Sequence, residues 1–418
     1  MIDCTAIIAE YNPFHNGHAY QIKKAKELTG NAPVIILMSG SFTERGSSAI
    51  LSKWSRAKAA IMNGADIVIE LPFCFAVRSA EHFARGGIQL LSKLGIRGKL
   101  AFGIEGDDPD LPHSLQRAAS ASEDAISPIL RSHLKRGASY GAARAAALAS
   151  ISGASSSSLR MPNNILAVEY LRALRGSRFS PLMIKRLGAG YSSESITPSP
   201  EGGDIPSGFQ SAAAIRAELL KPHPDKHSLR ASMPVASIES LRKSTSFPDD
   251  DLLLRPFIAR LLTIQMSKIQ SIYGIREGLE NRFLKQLRDA KDLTSLLTSM
   301  ETRRYPISML RREILYILLG ITRNEMHTFD DEGPLYARLL ACSKNGRVIL
   351  HTISKASSIP LISKTGSYIK SRSVHMQHEL SLLQRMLKYD ILATDLRAAL
   401  MSPPGRQGED FLTSPYFY

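Results

Sequence analysis

The stretch AIIAEYNPFHNGHAYQIKKAK, residues 6–26, decides how the chain begins to fold. Its apolar start belongs to a strand candidate, Thr5–Tyr11, and Ala19–Leu28 has the pattern of a helix. Between them lies His15-Asn16-Gly17-His18. A junction of this kind offers free N–H groups and the positive end of a helix dipole to an anion. The stretch therefore predicts the first strand and helix of an α/β sheet, with a phosphate site where they meet.

Apolar runs recur along the first half of the chain and alternate with helical patterns. Continuous apolar runs suit strands that are buried on both faces of a parallel sheet, and the helical segments between them suit crossover connections. A fifth strand candidate, Phe179–Tyr191, follows later. We therefore expect an open α/β sheet with parallel strands. The first four runs are Thr5–Tyr11, Pro33–Gly40, Asp66–Pro72 and Lys99–Glu105.

The alternation of strands and helices fades after about residue 221, and amphipathic helical patterns take its place. A mixed segment, Gly346–Ser354, interrupts them. We expect a domain boundary within residues 220–250 and assign residues 1–225 to the α/β domain. Residues 226–418 are assigned to a mainly helical domain. The helical patterns cover Leu252–Met266, Gly278–Ala290, Ile307–Leu319 and Glu379–Leu392.

Composition limits the class of protein and the compartment. The chain has 418 residues with a formal net charge of +15, which favours a polyanionic partner such as nucleic acid. No run of about 18 apolar residues is present, so no membrane span is expected. The N-terminus lacks the layout of a signal peptide. Three scattered cysteines argue against a disulfide framework, and these features together predict a cytoplasmic protein.

The two histidines of the opening stretch have a plausible chemistry. Imidazoles one helical turn apart share a face, and Gly17 lets a phosphate approach the backbone because it has no Cβ. His15 and His18 could then stabilise charge on an α-phosphate under attack, as adenylyl transfer requires. Two other readings remain open. The pair could belong to a metal site, although no third ligand lies nearby, or both rings could be structural.

HNGH resembles the HxGH signature of the nucleotidylyltransferase superfamily, which is related to class I aminoacyl-tRNA synthetases. The longer opening stretch is similar to one family within it, the bacterial tRNA(Met) cytidine acetate ligases. The resemblance extends over most of the chain, so it is far more specific than HxGH alone. Further blocks that carry it are Val34–Pro72, Phe83–Leu91 (FARGGIQLL), Ala101–Glu105 (AFGIE), Pro162–Leu171 (PNNILAVEYL), Ile184–Tyr191 (IKRLGAGY), Ser211–Arg216 (SAAAIR) and Leu310–Ile321 (LRREILYILLGI).

The resemblance implies a fold and a reaction. The fold is a Rossmann-like nucleotidylyltransferase domain followed by a mainly helical domain. The family activates acetate with ATP as acetyl-adenylate and releases pyrophosphate. It then transfers the acetyl group to N4 of the wobble cytidine of elongator tRNA(Met), which gives N4-acetylcytidine. The expected ligands are therefore ATP as a substrate, with Mg²⁺, and acetate and tRNA as partners. No metal site of the protein itself is expected.

The resemblance also implies roles for residues, motif by motif. His15 and His18 match the signature histidines, and Arg216 closes a segment similar to the superfamily's second motif, so these three are the expected catalytic residues. The expected ATP-binding residues are Ile8, Ala9, Glu10, Tyr11, Asn12, Pro13, Phe14, His15, Asn16, Gly17, His18, Ala19, Tyr20, Gln21, Gly103, Asn163, Lys185, Arg186, Ser211 and Arg216.

Several of these residues have a simpler alternative role. Gly103 could be a turn glycine and Asn163 a helix cap. Arg186 and Arg216 could be solvated surface charges. Trp54, beside Arg56, could stack on a base, although a core position is the stronger interpretation.

The chain also departs from the family's usual pattern. Glu44-Arg45-Gly46-Ser47-Ser48 stands where the family usually has Gln-Arg-Gly-Glu-Pro. Ile104 replaces a serine, and Ala213 and Ala214 occupy positions that often carry hydroxyls. These departures affect the fine contacts of the site and leave its signature residues intact.

The tRNA-facing surface is expected in the helical half, among nine basic residues. Two other functions remain as alternatives: a nucleotidylyltransferase that adenylylates a small phosphorylated metabolite, and a non-catalytic RNA-binding protein. The nine residues are Arg255, Arg260, Arg282, Lys285, Arg288, Arg303, Arg304, Arg311 and Arg312.

Overall fold

The apolar runs of the first half form the parallel strands of one sheet in the computed structural model, which describes residues 3–186, 208–375 and 380–418. Within these residues eight strands join in the order β5-β4-β1-β2-β3-β6-β7, and β8 pairs with β6. The strands are β1 (Asp3–Ala9), β2 (Val34–Ser39), β3 (Ile67–Leu71), β4 (Arg97–Ile104), β5 (Phe179–Lys185), β6 (Ala337–Cys342), β7 (Leu361–Ile362) and β8 (Tyr416–Phe417).

Strand order reverses at β1, which pairs in parallel with β2 on one side and β4 on the other. The chain runs outward from β1 through β2 to β3, and then returns to continue through β4 to β5. All residues of β2 and β3 are buried, as their continuous apolar sequences predict. Open α/β sheets bind ligands at such a reversal, outside the carboxyl ends of the strands.

Nine helices lie in the described part of the first half. Four of them, α5 to α8, form an insertion between β4 and β5. Ser52 caps α2, and α2 ends at Met62 as the sequence indicates. The helices are α1 (Asn16–Leu28), α2 (Lys53–Met62), α3 (Phe73–Ala76), α4 (Ala80–Lys93), α5 (Leu111–Ser120), α6 (Glu123–Lys135), α7 (Tyr140–Ser152), α8 (Pro162–Ala173) and α9 (Ala212–Leu219).

The second half is mainly helical, as expected, and the fold class predicted from the sequence is confirmed. The predicted mixed segment Gly346–Ser354 is wrong, because these residues lie within one helix, α18. The helices are α10 (Lys226–Ser232), α11 (Val235–Lys243), α12 (Leu254–Thr263), α13 (Met266–Ser271), α14 (Leu279–Gln286), α15 (Leu293–Met300), α16 (Ile307–Leu319), α17 (Arg323–Glu332), α18 (Gly346–Ala356), α19 (Leu382–Ala399) and α20 (Glu409–Leu412).

The two halves share one sheet and one hydrophobic core. β6 pairs antiparallel with β3, and the largest core cluster contains buried residues from Cys4 to Leu400. The division at residue 225 stays a prediction, since the sheet continues across it. The predicted strand Phe179–Tyr191 is confirmed from Phe179 to Lys185. Residues 187–191 of that prediction lie outside the described residues.

A buried ion network joins the halves at β3. The Lys53 Nζ lies 2.8 Å from Glu70 Oε1 and 2.8 Å from Asp410 Oδ1, and Arg338 pairs with both acids. Burial alone would raise the pKa of Asp410, but the Arg338 and Lys53 cations lower it to about 2. Each charge in the network therefore depends on its partners.

We predict that Lys53→Met destabilises the protein by about 3–5 kcal/mol, because it leaves buried carboxylates with less compensating charge. The free energy of unfolding in urea measures the change. Lys285→Met, at an exposed position of α14, is the control and should lie within about 0.5 kcal/mol of the unsubstituted protein. Equal stability of the two variants would contradict this account.

Candidate active site

A cavity of about 710 Å³ opens at the reversal of strand order. Its wall includes residues that follow β1, the first turns of α1, the end of β4 and the start of α8. Residues at the end of β5 and on α9 complete it, and Ser308 of α16 adds a contribution from the second half. A parallel sheet places these strand ends together, so the cavity occupies the position that the sequence predicts for a phosphate site.

The two signature histidines stack on each other at the start of α1. Their ring centroids are 3.7 Å apart with an interplanar angle of 26°. The Nδ1 of His15 accepts a hydrogen bond from the Gly17 N–H at 3.1 Å, and the Nδ1 of His18 accepts one from the His15 N–H at 3.3 Å. Each neutral ring must then carry its proton on Nε2, because the Nδ1 lone pair is in use.

Both imidazoles are neutral at physiological pH. Burial, reinforced by Arg186 and Arg216, lowers the pKa of His15 to about 3. Burial and the neighbouring His15 hold the pKa of His18 well below its usual value. The pair therefore offers two uncharged Nε2–H donors. Both rings line the cavity, which favours a role in ligand binding over a purely structural one.

Arg216 joins the histidines from α9. Ser211 caps this helix by accepting a hydrogen bond from the Ala214 N–H at 3.0 Å. The Arg216 Nη1 donates to the Asn12 carbonyl at 2.6 Å, which fixes the guanidinium beside the residues that follow β1. Ala213 lines the cavity whereas Ala214 is buried, so only the first of these two departures changes the cavity wall.

Gly103 and Arg186 are coupled across neighbouring strands. Gly103 lies inside β4 opposite Ile184, so it is not a turn glycine. A Cβ at Gly103 would lie 3.0 Å from the Arg186 Cγ, and the missing side chain gives the arginine room to cross the strand. The Arg186 Nε lies 3.5 Å from the Glu105 Oε1.

Asn163 donates to the same Glu105 carboxylate and lines the cavity. It does not cap α8, because Met161 occupies the cap position. The following Asn164 is fully buried and holds the Glu105 main chain, accepting from its N–H at 2.9 Å and donating to its carbonyl at 2.7 Å. Asn164 was not among the residues predicted from the sequence, although its place beside Asn163 at the start of a helix was a usable signal.

Most of the predicted site residues line the cavity. Five do not: Pro13, Phe14, Asn16, Ala19 and Ser211. Phe14 packs on Tyr11 and His18, and the Asn16 amide donates to the Ala231 carbonyl at 2.7 Å. The predicted residues on the wall are Ile8, Ala9, Glu10, Tyr11, Asn12, His15, Gly17, His18, Tyr20, Gln21, Gly103, Asn163, Lys185, Arg186 and Arg216.

The wall also contains residues that the sequence did not single out as ATP contacts. Thr43, Glu44, Arg45 and Ser47 belong to the glycine-containing loop after β2, which by its sequence could be an acetate pocket or a phosphate nest. The aromatic side chains Phe83, Tyr170 and Phe209 line other parts of the wall. Trp54 is 7% exposed and Arg56 is fully buried, so both are core residues and neither is available to stack on a base.

Partners within the protein occupy most of the nine basic side chains of the helical half. Arg311 pairs with Asp250 at 2.8 Å, Arg312 with Glu44 at 3.5 Å, and Arg304 with Glu277. Arg260, Arg282 and Arg303 donate to main-chain carbonyls. The part of the chain that the structure describes leaves Arg255, Lys285 and Arg288 exposed and without an ion pair or hydrogen bond.

The described residues contain neither a metal-binding cluster nor a membrane-spanning helix. No group of three or more His, Cys, Asp or Glu side chains in these ranges is arranged to hold a metal ion. Over the same ranges, no helix is long and apolar enough to cross a membrane.

Comparisons with known proteins identify similar chains. A family model described as HIGH Nucleotidyl Transferase matches residues 2–410. The tRNA(Met) cytidine acetate ligase of Syntrophotalea carbinolica is 36% identical over 423 residues, which cover 98% of this chain and 97% of that protein. The protein of the same name from Acetivibrio thermocellus is 34% identical, with 97% of each chain covered.

Solved structures give the same result. The crystal structure of apo Thermotoga maritima TmcAL superposes with a TM-score of 0.84 at 29% identity, covering 100% of this chain and 99% of that one. The structure of the same protein bound to α-thio ATP superposes with a TM-score of 0.82.

We predict that His15 makes folding sensitive to acid. The unfolded chain binds the His15 proton near pH 6.5, whereas the folded protein binds it only near pH 3. This contribution to stability is full above pH 6.5 and is lost as the pH falls towards 3. Between pH 7 and pH 5, unfolding measurements should show that the stability of the unsubstituted protein falls by ~2 kcal/mol more than that of His15→Gln. Equal losses would contradict the neutral, buried imidazole.

Proposed function

The chain belongs to the HIGH nucleotidyl transferase family and, within it, to the tRNA(Met) cytidine acetate ligases, and from that membership we propose its reaction. It is an enzyme of the ligase class. ATP activates acetate as acetyl-adenylate, and the acetyl group passes to N4 of the wobble cytidine of elongator tRNA(Met). The product is N4-acetylcytidine, and the reaction takes place in the cytoplasm. The observation that carries the proposal is the stacked His15–His18 pair, with both Nδ1 atoms used by main-chain N–H groups.

The first step needs donors that face developing phosphate charge. An acetate oxygen attacks the α-phosphorus, the bond from that phosphorus to the bridging oxygen breaks, and pyrophosphate leaves with the electron pair. The Nε2–H groups of His15 and His18 donate to the phosphate oxygens as charge builds on them. Arg216 and Arg186 supply the positive charge, and their fixed planar guanidinium groups suit phosphate oxygens.

Candidate contacts for the nucleoside end of ATP lie next to Arg186, because Asn163 and Arg186 share the Glu105 carboxylate. Asn163 presents an amide beside Gly103, at the end of β4, and this supports its expected contact with adenine or ribose. Lys185 pairs with Asp107 at 2.8 Å on the exposed rim, so its contact with ATP is the weaker part of the assignment.

The cavity fits a magnesium ion that arrives with ATP rather than one held by the protein. Mg²⁺ in nucleotide enzymes keeps several waters and binds mainly through phosphate oxygens, with one or two carboxylates at most. Such an ion would neutralise phosphate charge. The chain's own contribution to that neutralisation comes from Arg186 and Arg216.

The tRNA would approach over the helical half. Arg255, Lys285 and Arg288 are exposed cations without partners in the described ranges, and they suit contacts to phosphates. Arg311 and Arg312 are engaged beside the cavity, so their role is closer to the site than to the RNA surface.

The proposal is tested with purified protein, ATP, labelled acetate and unmodified elongator tRNA(Met). We expect N4-acetylcytidine in nucleoside digests, formed only when ATP, acetate and tRNA are all present. Pyrophosphate release without label in the RNA would overturn the ligase reaction and favour adenylylation of a small metabolite. RNA binding without pyrophosphate release would favour a non-catalytic protein. His18→Ala should abolish acetate-dependent exchange of pyrophosphate into ATP while tRNA binding persists.

We predict that Gly17→Ala weakens ATP binding about tenfold, which corresponds to about 1.4 kcal/mol. A Cβ at this position would lie 2.9 Å from the Cε1 of His15, so the ring must move away from the phosphate. Titration calorimetry with ATP measures the effect. Gly141→Ala, on helix α7, is the matched control because no atom lies within 4 Å of its added Cβ. If Gly17→Ala binds ATP as tightly as the unsubstituted protein, the position of the His15 ring does not matter for phosphate binding, and the prediction is wrong.

A further inference from the structure

Two carboxyl groups face the cavity beyond its phosphate-binding end. Among the described residues on the wall, Glu10 and Glu44 are the acids. Glu10 directly follows β1, and Glu44 lies in the loop after β2. Because β1 and β2 are neighbouring parallel strands, their carboxyl ends bring the two residues together. The reaction steps assigned so far use neither side chain.

A hydrogen bond fixes the position of the Glu10 carboxylate. Its Oε1 accepts from the Glu44 N–H at 2.6 Å. No hydrogen bond or ion pair joins its Oε2 to any residue in the described ranges, so that oxygen is available to a ligand. The Glu44 carboxylate is engaged differently, since its Oε1 lies 3.5 Å from the Arg312 Nη1.

Burial and the surrounding charges change the pKa of both acids. Burial raises the pKa of Glu10, and the cations Arg216, Arg45 and Arg56 oppose that rise. Burial raises the pKa of Glu44 to about 7, with Glu10 adding to the rise and Arg312 and Arg45 opposing it. The negative charge of Glu10 therefore opposes ionisation of Glu44.

Glu10 borders the phosphate-binding end of the cavity. Arg216 donates to the carbonyl of Asn12, two residues along the chain, and its charge acts on both Glu10 and His15. Glu10 and the histidine pair therefore share the end of the cavity that Arg216 borders. Burial keeps the nearby Tyr170 hydroxyl protonated, and the charges of Glu10 and Glu44 act in the same direction.

We propose that Glu10 accepts the N4 proton when the cytidine amine attacks acetyl-adenylate, and that Glu44 positions Glu10 for this step. This inference rests on the proposed function. The N4 lone pair forms the C–N bond to the acetyl carbon, and the bond from that carbon to the phosphate oxygen breaks. AMP leaves with the electron pair, and the N4 proton passes to the Oε2 of Glu10. Glu44 acts through its N–H, which orients the Glu10 carboxylate.

The test separates the two half-reactions in Glu10→Gln. General-base catalysis contributes 10²–10⁴-fold, so acetyl transfer to tRNA should fall by about 100-fold or more. Acetate-dependent pyrophosphate exchange should fall by less than about tenfold, because the amide keeps the shape of the cavity wall. Glu105→Gln is the matched control: this acid orients Arg186 and Asn163, so both half-reactions should fall together.

The pH dependence of transfer provides a second readout. The base must be deprotonated, so transfer rises with pH through the pKa of Glu10. Glu44→Gln keeps the orienting N–H and the Glu10 carboxylate, so transfer by this variant should keep its acid limb. In Glu10→Gln the acid limb should disappear.

The outcomes distinguish this inference from the proposed function. Unsubstituted protein that exchanges pyrophosphate but acetylates no tRNA overturns both. Normal acetylation with a transfer step equally fast in Glu10→Gln overturns the role of Glu10 alone. A proportional loss of both half-reactions in Glu10→Gln also overturns it, because Glu10 would then serve only in binding ATP.

Discussion

The site depends on one buried cation that holds the ends of β1 and β2 together. Arg56, on α2, is fully buried and donates to the carbonyls of Glu10, Ser39 and Gly40, which follow or end these two strands, and also to the Leu51 carbonyl. Burial lowers the pKa of Arg56 to about 9, so the group remains a cation at neutral pH. Carbonyl groups that would be left unpaired where β1 and β2 end are thereby hydrogen-bonded. These strand ends form the floor of the cavity, and Arg56 fixes their position.

The second half of the chain completes the loop that covers this floor. Arg397, on α19, donates to the Ala49 and Ile50 carbonyls, and Asp250 accepts from the Ser48 N–H at 3.1 Å. Arg312 donates to the Glu44 carbonyl at 3.1 Å. The loop after β2 is therefore shaped by helices more than 200 residues away in sequence. The second half therefore holds one wall of the cavity in place, although Ser308 is its one residue among the described lining residues.

This dependence explains which features the sequence could predict. The apolar runs of β1 to β4 are local signals, and the sequence predicted them correctly. His15, His18 and Arg216 were also predicted to act together. By contrast, the orientation of Glu44 depends on Arg312, and β6 is a six-residue strand whose place beside β3 depends on the buried ion network. Local periodicity carries no information on such contacts.

The residues after β1 adopt a strained path that their contacts maintain. Tyr11 has φ of +51°, which costs a non-glycine residue about 1–3 kcal/mol. The bond from Arg216 to the Asn12 carbonyl and the one from the Ile50 N–H to the Asn12 Oδ1, at 2.8 Å, hold the next residue in place. The Tyr11 ring packs 4.7 Å from that of His18, centroid to centroid. The strained backbone thus places the Tyr11 ring against the His18 imidazole. The imidazole N–H donors are then oriented before any ligand binds, so the site needs little reorganisation during the reaction.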